Sequence, residues 1–247
     1  MIPRLHTEQD LRPGAVIELD AARSHYLRAV LRREAGSELL LFNGRDGEWR
    51  AGIERLAKSG ARIELVQQTR RQQASPDLWL VFAPIKGDRI DNLAEKATEL
   101  GCSCLWPVFT QHTTVGRVNI ERMRANAIEA AEQCERLDVP GIRTPAKLGE
   151  ILDSWSPARR LIVCAESGQA MPIAEALRAL PVNASCAVMS GPEGGFARSE
   201  LDALSKLPFV TAVGLGPRVL RADTAALAAL ACWQAILGDG RERPPAR

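Results

Sequence analysis

From residue 78 onward, short unbroken apolar runs alternate with stretches in which apolar residues recur every three or four positions. The runs are "LWLVFAP" (78–84), "CLWPVF" (104–109), "LIVCAE" (161–166), "CAVMS" (186–190) and "VTAVGL" (210–215). Each has the length and apolar density of a strand buried on both faces. Between them, "GDRIDNLAEKATELG" places Ile90, Leu93, Ala94, Ala97 and Leu100 on one helical face, with Asp88 as candidate N-cap and Gly101 as the stop. Further helices are expected over 119–134, near 172–180, near 198–206 and from about 222 to 237. Strands alternating with helices imply a parallel α/β sheet.

The front of the chain has a different texture. "AVIEL" (15–19), "ELLLFN" (38–43), "EWRAGIERL" (48–56) and "ARIELVQQ" (61–68) read as short strands separated by glycine-containing turns. One helix interrupts them, within "ARSHYLRAVLRREAG": Tyr26, Leu27, Val30 and Leu31 form its apolar stripe, Arg23, Arg28, Arg32 and Arg33 take other angles, and Gly36 ends it. A small β-barrel with an arginine-studded helix suits contact with nucleic acid, and a solvated helix face is the plainer alternative. "QQTRRQQASP" (67–76) reads as a linker. The expected organisation is a β module over 1–72, an α/β domain over 73–240 and a disordered tail over 241–247.

Composition narrows the function classes. Formal charge is only +2, so the chain is no polycation, yet 27 of its 32 basic residues are Arg, whose planar fork grips phosphate in two places. The first 75 residues hold 13 basic against 10 acidic side chains, which puts a mild basic bias at the front. No apolar stretch reaches the roughly 18 residues that span a bilayer, and no signal segment opens the chain; a cytoplasmic protein without a membrane partner is expected. The six cysteines lie mostly inside apolar runs, as reduced core thiols do. A metal site from Cys102, Cys104, His112 and Cys134 would need a C-x-C spacing in place of the usual two-residue knuckle, so no metal is expected.

Chemistry points to two glycine-proline turns, "SGPEGGF" (190–196) and "GLGPRVLRADTAALAAL" (214–230), each following an apolar run. In an open parallel sheet, ligands bind beyond the C-terminal strand ends, where both turns fall. Glycine admits a ligand against bare backbone and proline stiffens the rim, an arrangement suited to a flat heterocycle. Neither turn ends in the Lys-Ser/Thr of a phosphate loop, position 219 is Val where a dinucleotide fingerprint needs glycine, and no G-x-S-x-G elbow occurs.

The paired turns resemble the C-terminal signature of the SPOUT superfamily of S-adenosylmethionine-dependent RNA methyltransferases, and within it the RsmE family of 16S ribosomal RNA uridine-N3 methyltransferases. "HYLRAVLR" with "LLLFNGRDGEWRA" is similar to that family's PUA-like N-terminal domain, and "KGDRIDNLAEKATELG" and "EAAEQCERLDVP" to its central blocks, so the resemblance covers nearly the whole chain. It implies a C-terminal parallel-sheet SPOUT domain with a trefoil knot, preceded by a small PUA-like β-barrel. The implied cofactor is S-adenosylmethionine, held by Gly191, Pro192, Glu193, Gly194, Leu215, Gly216, Arg218, Val219 and Leu220. Its implied partners are 16S ribosomal RNA or the small ribosomal subunit, and a second copy of the chain meeting Leu227, Leu230, Trp233, Ile236 and Leu237.

N3 of uridine is a poor nucleophile until its proton leaves, so a base or an anion-stabilising cation is required. Glu193 and Arg221 are the candidate catalytic residues, with Arg218 a second cation. RNA contact is expected from Arg4, Arg23, Arg28 and Arg32 of the front module, with Lys86 and Arg89. The competing roles are a carboxylate bonded inside its own loop for Glu193, and pairing with Asp223 or a neighbouring carboxylate for the two arginines. A non-catalytic RNA-binding dimer, a methyltransferase acting on another RNA and a nucleotide-dependent reductase are the rival functions. Two positions depart from the family pattern: Ala197 replaces a Ser or Thr helix cap, at a cost of about 1 kcal/mol, and Asp223 replaces the commoner Glu, with a shorter reach that argues against direct catalysis.

Overall fold

The computed structural model describes residues 2–165, 170–182 and 184–243. The chain divides into two compact units: one takes the chain up to Ala74 together with Ala131–Val139, the other takes Ser75–Ala130 and Pro140 onward.

The first unit is a mixed sheet curled into a half-barrel. Its strands are β1 (Arg4–His6), β2 (Val16–Leu19), β3 (Glu38–Phe42), β4 (Glu48–Ala57) and β5 (Gly60–Arg70), in the order β1-β3-β4-β5-β2. Only β1 and β3 run parallel. Leu39, Leu41, Ala51, Ile53, Ile63 and Leu65 alternate inward to form the core with Ile17 and Leu27. β1 is too short to show alternation in the sequence and exists through its pairing with Leu40–Phe42. β5 runs to Arg70, so the polar stretch assigned to a linker begins as strand, where its side chains face solvent.

The front helix is shorter than its periodicity suggests. Asp20 caps α1 (Ala21–His25) by accepting the Arg23 N–H at 2.8 Å, and a π-turn over Tyr26–Val30 follows, closed by Leu31 N–H donating to the Tyr26 carbonyl. The wider turn keeps Leu27 fully buried but leaves Val30 61% exposed, which breaks the expected stripe. Arg32 then takes φ +52°, a left-handed conformation uncommon outside glycine, and the helix is over before Gly36.

Arg4 clips the returning segment to this sheet. Its Nε donates to Glu48 Oε2 at 2.7 Å, Nη1 to the carbonyls of Ala131 and Glu132 at 3.0 and 3.1 Å, and Nη2 to the carbonyl of Arg136 at 2.7 Å. The guanidinium lies 4.6 Å from the Phe42 ring centre, and the Arg4 and Glu48 side chains are 6% and 5% exposed. Arg4→Ala would leave the buried Glu48 carboxylate with only the Thr69 hydroxyl at 2.9 Å and Arg70 Nη1 at 3.9 Å, and should cost about 3 kcal/mol, read by urea unfolding.

The second unit contains an all-parallel sheet of β6 (Leu78–Phe82), β7 (Cys104–Phe109), β8 (Gly141–Ile142), β10 (Arg160–Cys164), β11 (Met171–Pro172), β12 (Cys186–Ser190) and β13 (Val210–Gly214), in the order β11-β13-β10-β12-β6-β7-β8; β9 (Ala146–Lys147) pairs with β7. Successive strand residues face opposite sides. Leu78, Leu80, Phe82, Cys186 and Val188 meet α2 (Arg89–Glu99), α5 (Ile173–Arg178) and α7 (Ala222–Ile236). Val81, Ala187 and Met189 meet α4 (Leu148–Asp153) and α6 (Arg198–Ser205), with Trp106, Trp155 and Phe209. Both faces are covered, which is why the strands read as continuous apolar runs. α3 (Ile120–Gln133) follows β7.

β10 precedes β12 and β13 in sequence yet lies between them, and α7 then packs back against β12, β10 and β6. This is the stretch over which the resemblance places the knot. Leu230 and Trp233 of α7 and Leu237 just after it are buried in the unit's own core, with Leu227 and Ile236 partly buried against it. Asp88 stands before α2 but makes no capping bond with its side chain, which instead lies 3.5 Å from Arg122. Asp239–Arg241 forms a single 3-10 turn; of the expected tail, residues 244–247 lie outside the described residues. The six cysteines are free, and among the described residues no group of His, Cys, Asp and Glu is arranged to hold a metal.

Candidate active site

Three adjacent parallel strands, β13, β10 and β12, end side by side, and a cavity of about 260 Å³ opens where they stop. Each strand supplies one wall. β12 delivers Ser190 and the 191–196 turn, β13 delivers Leu215–Leu220, and β10 delivers Cys164 and Ala165. Leu201 of α6 and Ala222 and Ala225 of α7 complete it. Ser190 Oγ donates to the Ala222 carbonyl at 2.8 Å, fastening the end of β12 to the first turn of α7.

The turns owe their shape to particular residues. Gly195 N–H donates to the Pro192 carbonyl at 2.9 Å, closing a tight reversal. A Cβ on Gly191 would lie 2.9 Å from Cε2 of Phe196, whose ring lines the cavity, so only glycine lets that ring close over the turn. Gly216 takes φ +100° with open space on its Cα, a backbone geometry in which a side chain is strained. A Cβ at Gly194 would instead make ordinary contact with His112 Cβ at 3.4 Å. Ala197 leaves α6 without a side-chain cap, but Glu200 accepts the Ala197 N–H at 2.9 Å, which is its own half of a capping box, and the Gln111 N–H at 2.8 Å; the half that a Ser at 197 would supply is missing.

Among the described lining residues, Arg218 is the only charged one, and the rest are small, apolar or proline. Peptide groups and apolar surface therefore do the recognising, a chemistry that fits a flat heterocycle. Burial pushes the Cys164 thiol up to about 12, so the cavity's own cysteine is a neutral wall and not a thiolate nucleophile.

The sequence-identified residues separate into groups. Gly191, Pro192, Gly194, Leu215, Gly216, Arg218, Val219 and Leu220 line the cavity. Glu193 is not among the lining residues; its Oε1 accepts from the Lys86 backbone N–H at 3.4 Å and lies 3.6 Å from Arg89 Nη1. Arg221 occupies the N-cap position of α7, its carbonyl accepting the Ala225 N–H at 2.8 Å; it is exposed, and its side chain has no hydrogen-bond or ion-pair partner among the described residues, nor has that of exposed Arg218. Asp223 is paired with neither of them. Its carboxylate takes a two-pronged bond from Arg89, Nη2 to Oδ1 at 2.7 Å and Nε to Oδ2 at 2.9 Å. That bond holds the Asp223 carboxyl below the usual carboxylate range, so the pair is ionised at neutral pH.

Two of the expected RNA contacts are corrected by these placements. Arg4 is buried with its guanidinium spent on Glu48 and three carbonyls, so no phosphate reaches it. Arg89 is committed to Asp223 and Glu193. Arg28, Arg32 and Lys86 are exposed, and Arg23 is partly exposed, donating one N–H to the His6 carbonyl at 2.7 Å. Sequence reasoning missed Cys164 and Ala165, although the end of "LIVCAE" marked a third strand terminus on the same crevice, and it missed Phe196 and Leu201, for which no local signal exists.

Comparison with known proteins gives this geometry a class. Residues 72–234 match the family model described as an RNA methyltransferase domain, and residues 19–66 match the RNA methyltransferase PUA domain, so fold and site define an RNA methyltransferase carrying a PUA-type module. A ribosomal RNA small subunit methyltransferase E of Rickettsia conorii is 33% identical over 234 residues, 92% of this chain and 93% of the relative. The chain belongs to the ribosomal RNA small subunit methyltransferase E family. A crystal structure of a methyltransferase E from Neisseria gonorrhoeae bound to S-adenosyl methionine superposes with a TM-score of 0.87 at 28% identity, covering 97% of this chain and 99% of that one. A methyltransferase of Legionella pneumophila, solved with the same cofactor bound, gives 0.84 at 30% identity over 95% and 98%.

Proposed function

We propose that this protein methylates N3 of a uridine in 16S ribosomal RNA of the small subunit, with S-adenosylmethionine as methyl donor. The observation that carries the reading is the backbone-walled cavity at the ends of β10, β12 and β13, with Arg218 the one charge among its described lining residues. When bound there, the cofactor supplies an electrophilic methyl group on a sulfonium. The 191–196 and 215–220 turns hold its heterocycle with main-chain groups, and Phe196 and Leu201 keep water from the reacting centre. Arg221 stabilises the negative charge that develops on the uracil, and Glu193, 38% exposed at its side chain, takes the N3 proton. Arg23, Arg28, Arg32 and Lys86 meet RNA phosphates. The same reading makes the protein a cytoplasmic homodimer; it is supported by partly exposed Leu227 and Ile236 on α7, and no helix of the described chain is long and apolar enough to cross a membrane.

Isothermal titration should show one S-adenosylmethionine site per chain. Ribosomal RNA from a strain lacking the gene should lack one methyluridine by mass spectrometry and regain it when the gene is restored. An unchanged RNA, or modification lost from another RNA, would overturn the assignment, and absence of cofactor binding would leave a non-catalytic RNA-binding protein.

A further inference from the structure

Arg89 joins three elements around one charged group. It is the first residue of α2; it grips Asp223 in the first turn of α7 with two hydrogen bonds, and its Nη1 stands 3.6 Å from Glu193 in the turn after β12. The first of these partners belongs to the segment that follows the 215–220 wall of the cavity, and the second to the 191–196 wall. Lys86, just ahead of α2, adds its N–H to the same Glu193 oxygen at 3.4 Å. The two carboxylates are held unequally. Asp223 takes both prongs of the fork at 2.7 and 2.9 Å, and its side chain is 20% exposed; Glu193 has only two longer approaches, and is 38% exposed. A bidentate arginine-carboxylate pair fixes the guanidinium plane, and a fixed plane fixes where the third N–H group points.

We propose that Arg89 is a positioning residue for methyl transfer: anchored by Asp223, it aims the Glu193 carboxylate while leaving that group free to receive a proton. The inference rests on the proposed methyltransferase activity and on Glu193 as proton acceptor. It also gives Asp223 a task that suits its short side chain, since anchoring a neighbouring arginine demands less reach than touching a substrate. Arg89 is not among the residues lining the cavity, so cofactor affinity is expected to be independent of it. A misplaced acceptor costs turnover instead.

The test uses the full-length protein, S-adenosylmethionine and small ribosomal subunits from the deletion strain. Arg89→Gln should lower kcat by about 100-fold and leave the cofactor Kd unchanged, and Arg89→Gln combined with Glu193→Gln should be no slower than Glu193→Gln alone. The decisive variant exchanges the partners, Arg89→Asp with Asp223→Arg. It rebuilds an ion pair between α2 and α7 but turns a negative charge toward Glu193. Thermal stability should return toward that of the wild type while kcat stays low. Recovery of both would reduce Arg89 to a structural tie, and additive losses in the Glu193 double variant would break the link to that carboxylate. Asp223→Asn approaches the same tie from its other end, and should reproduce the kcat loss at unchanged Kd if Arg89→Gln folds poorly. A wild-type protein that binds no cofactor or methylates no subunit would instead refute the activity itself, before any variant is compared.

Discussion

Gly191→Val is expected to abolish measurable S-adenosylmethionine binding while the protein stays folded. The added Cβ alone would stand 2.9, 3.0 and 3.2 Å from three atoms of the Phe196 ring, closer than packed carbons tolerate. A ring is rigid, so relief requires either moving Phe196 into the cavity it lines or opening the turn closed by the Gly195 to Pro192 bond. Overpacking of this kind costs about 1–3 kcal/mol, and the branched methyls of valine add a second obstruction on the wall where peptide groups must touch the heterocycle. The combined loss should reach at least about 100-fold in Kd, read by isothermal titration, with circular dichroism as the control for folding. Gly194→Ala provides the contrast. Its Cβ meets only His112, at an ordinary 3.4 Å, and binding should survive. If both variants bind like the wild type, the cofactor does not occupy this cavity.

That contrast also marks how far the residues alone could carry the interpretation. The alternation of apolar runs with helical stripes was legible because a parallel sheet covered on both faces needs such strands, and the observed bounds of β7 and β12 coincide with the quoted runs. The two glycine-proline turns located the crevice for the same reason: strand ends and backbone freedom are both written in local composition. What stayed hidden depends on contacts between distant residues. Nothing in "GGF" says that Phe196 folds back over Gly191, and nothing near Arg89 says that its partner lies 134 residues later. Arg4 shows the same gap in reverse. A lone arginine in a basic front segment reads as a phosphate ligand, and only the return of 131–136 to the sheet turns it into a buried clasp. The π-turn at Tyr26–Val30 escaped because a helical stripe is computed for an even pitch, and one inserted residue rotates Val30 out of it.

Arg221→Ala should lower kcat by about 100- to 1000-fold, the loss typical when a donor aimed at developing charge is removed, with cofactor affinity intact. The arginines around the two turns are held unequally. Arg89 is held by Asp223 and Glu193, whereas Arg221 occupies the N-cap position of α7 with its side chain in solvent and without a partner among the described residues. An N-cap position ordinarily favours a side chain that accepts the first helical N–H groups, and a cation there opposes the helix dipole. The sequence thus carries a residue that works against local helix stability beside the cavity, which is the pattern expected where a side chain serves a reaction and not the fold. Removing it should therefore slightly raise thermal stability while turnover collapses, a pairing that simple structural damage cannot produce. Single-turnover methylation of small subunits at saturating cofactor, compared with a thermal melt of the same sample, reads both signs at once. Arg221→Lys should recover only part of the rate, because a point charge cannot span two oxygens as the guanidinium fork does. A variant that melts lower and methylates normally would place Arg221 in the fold and leave the developing charge to Arg218.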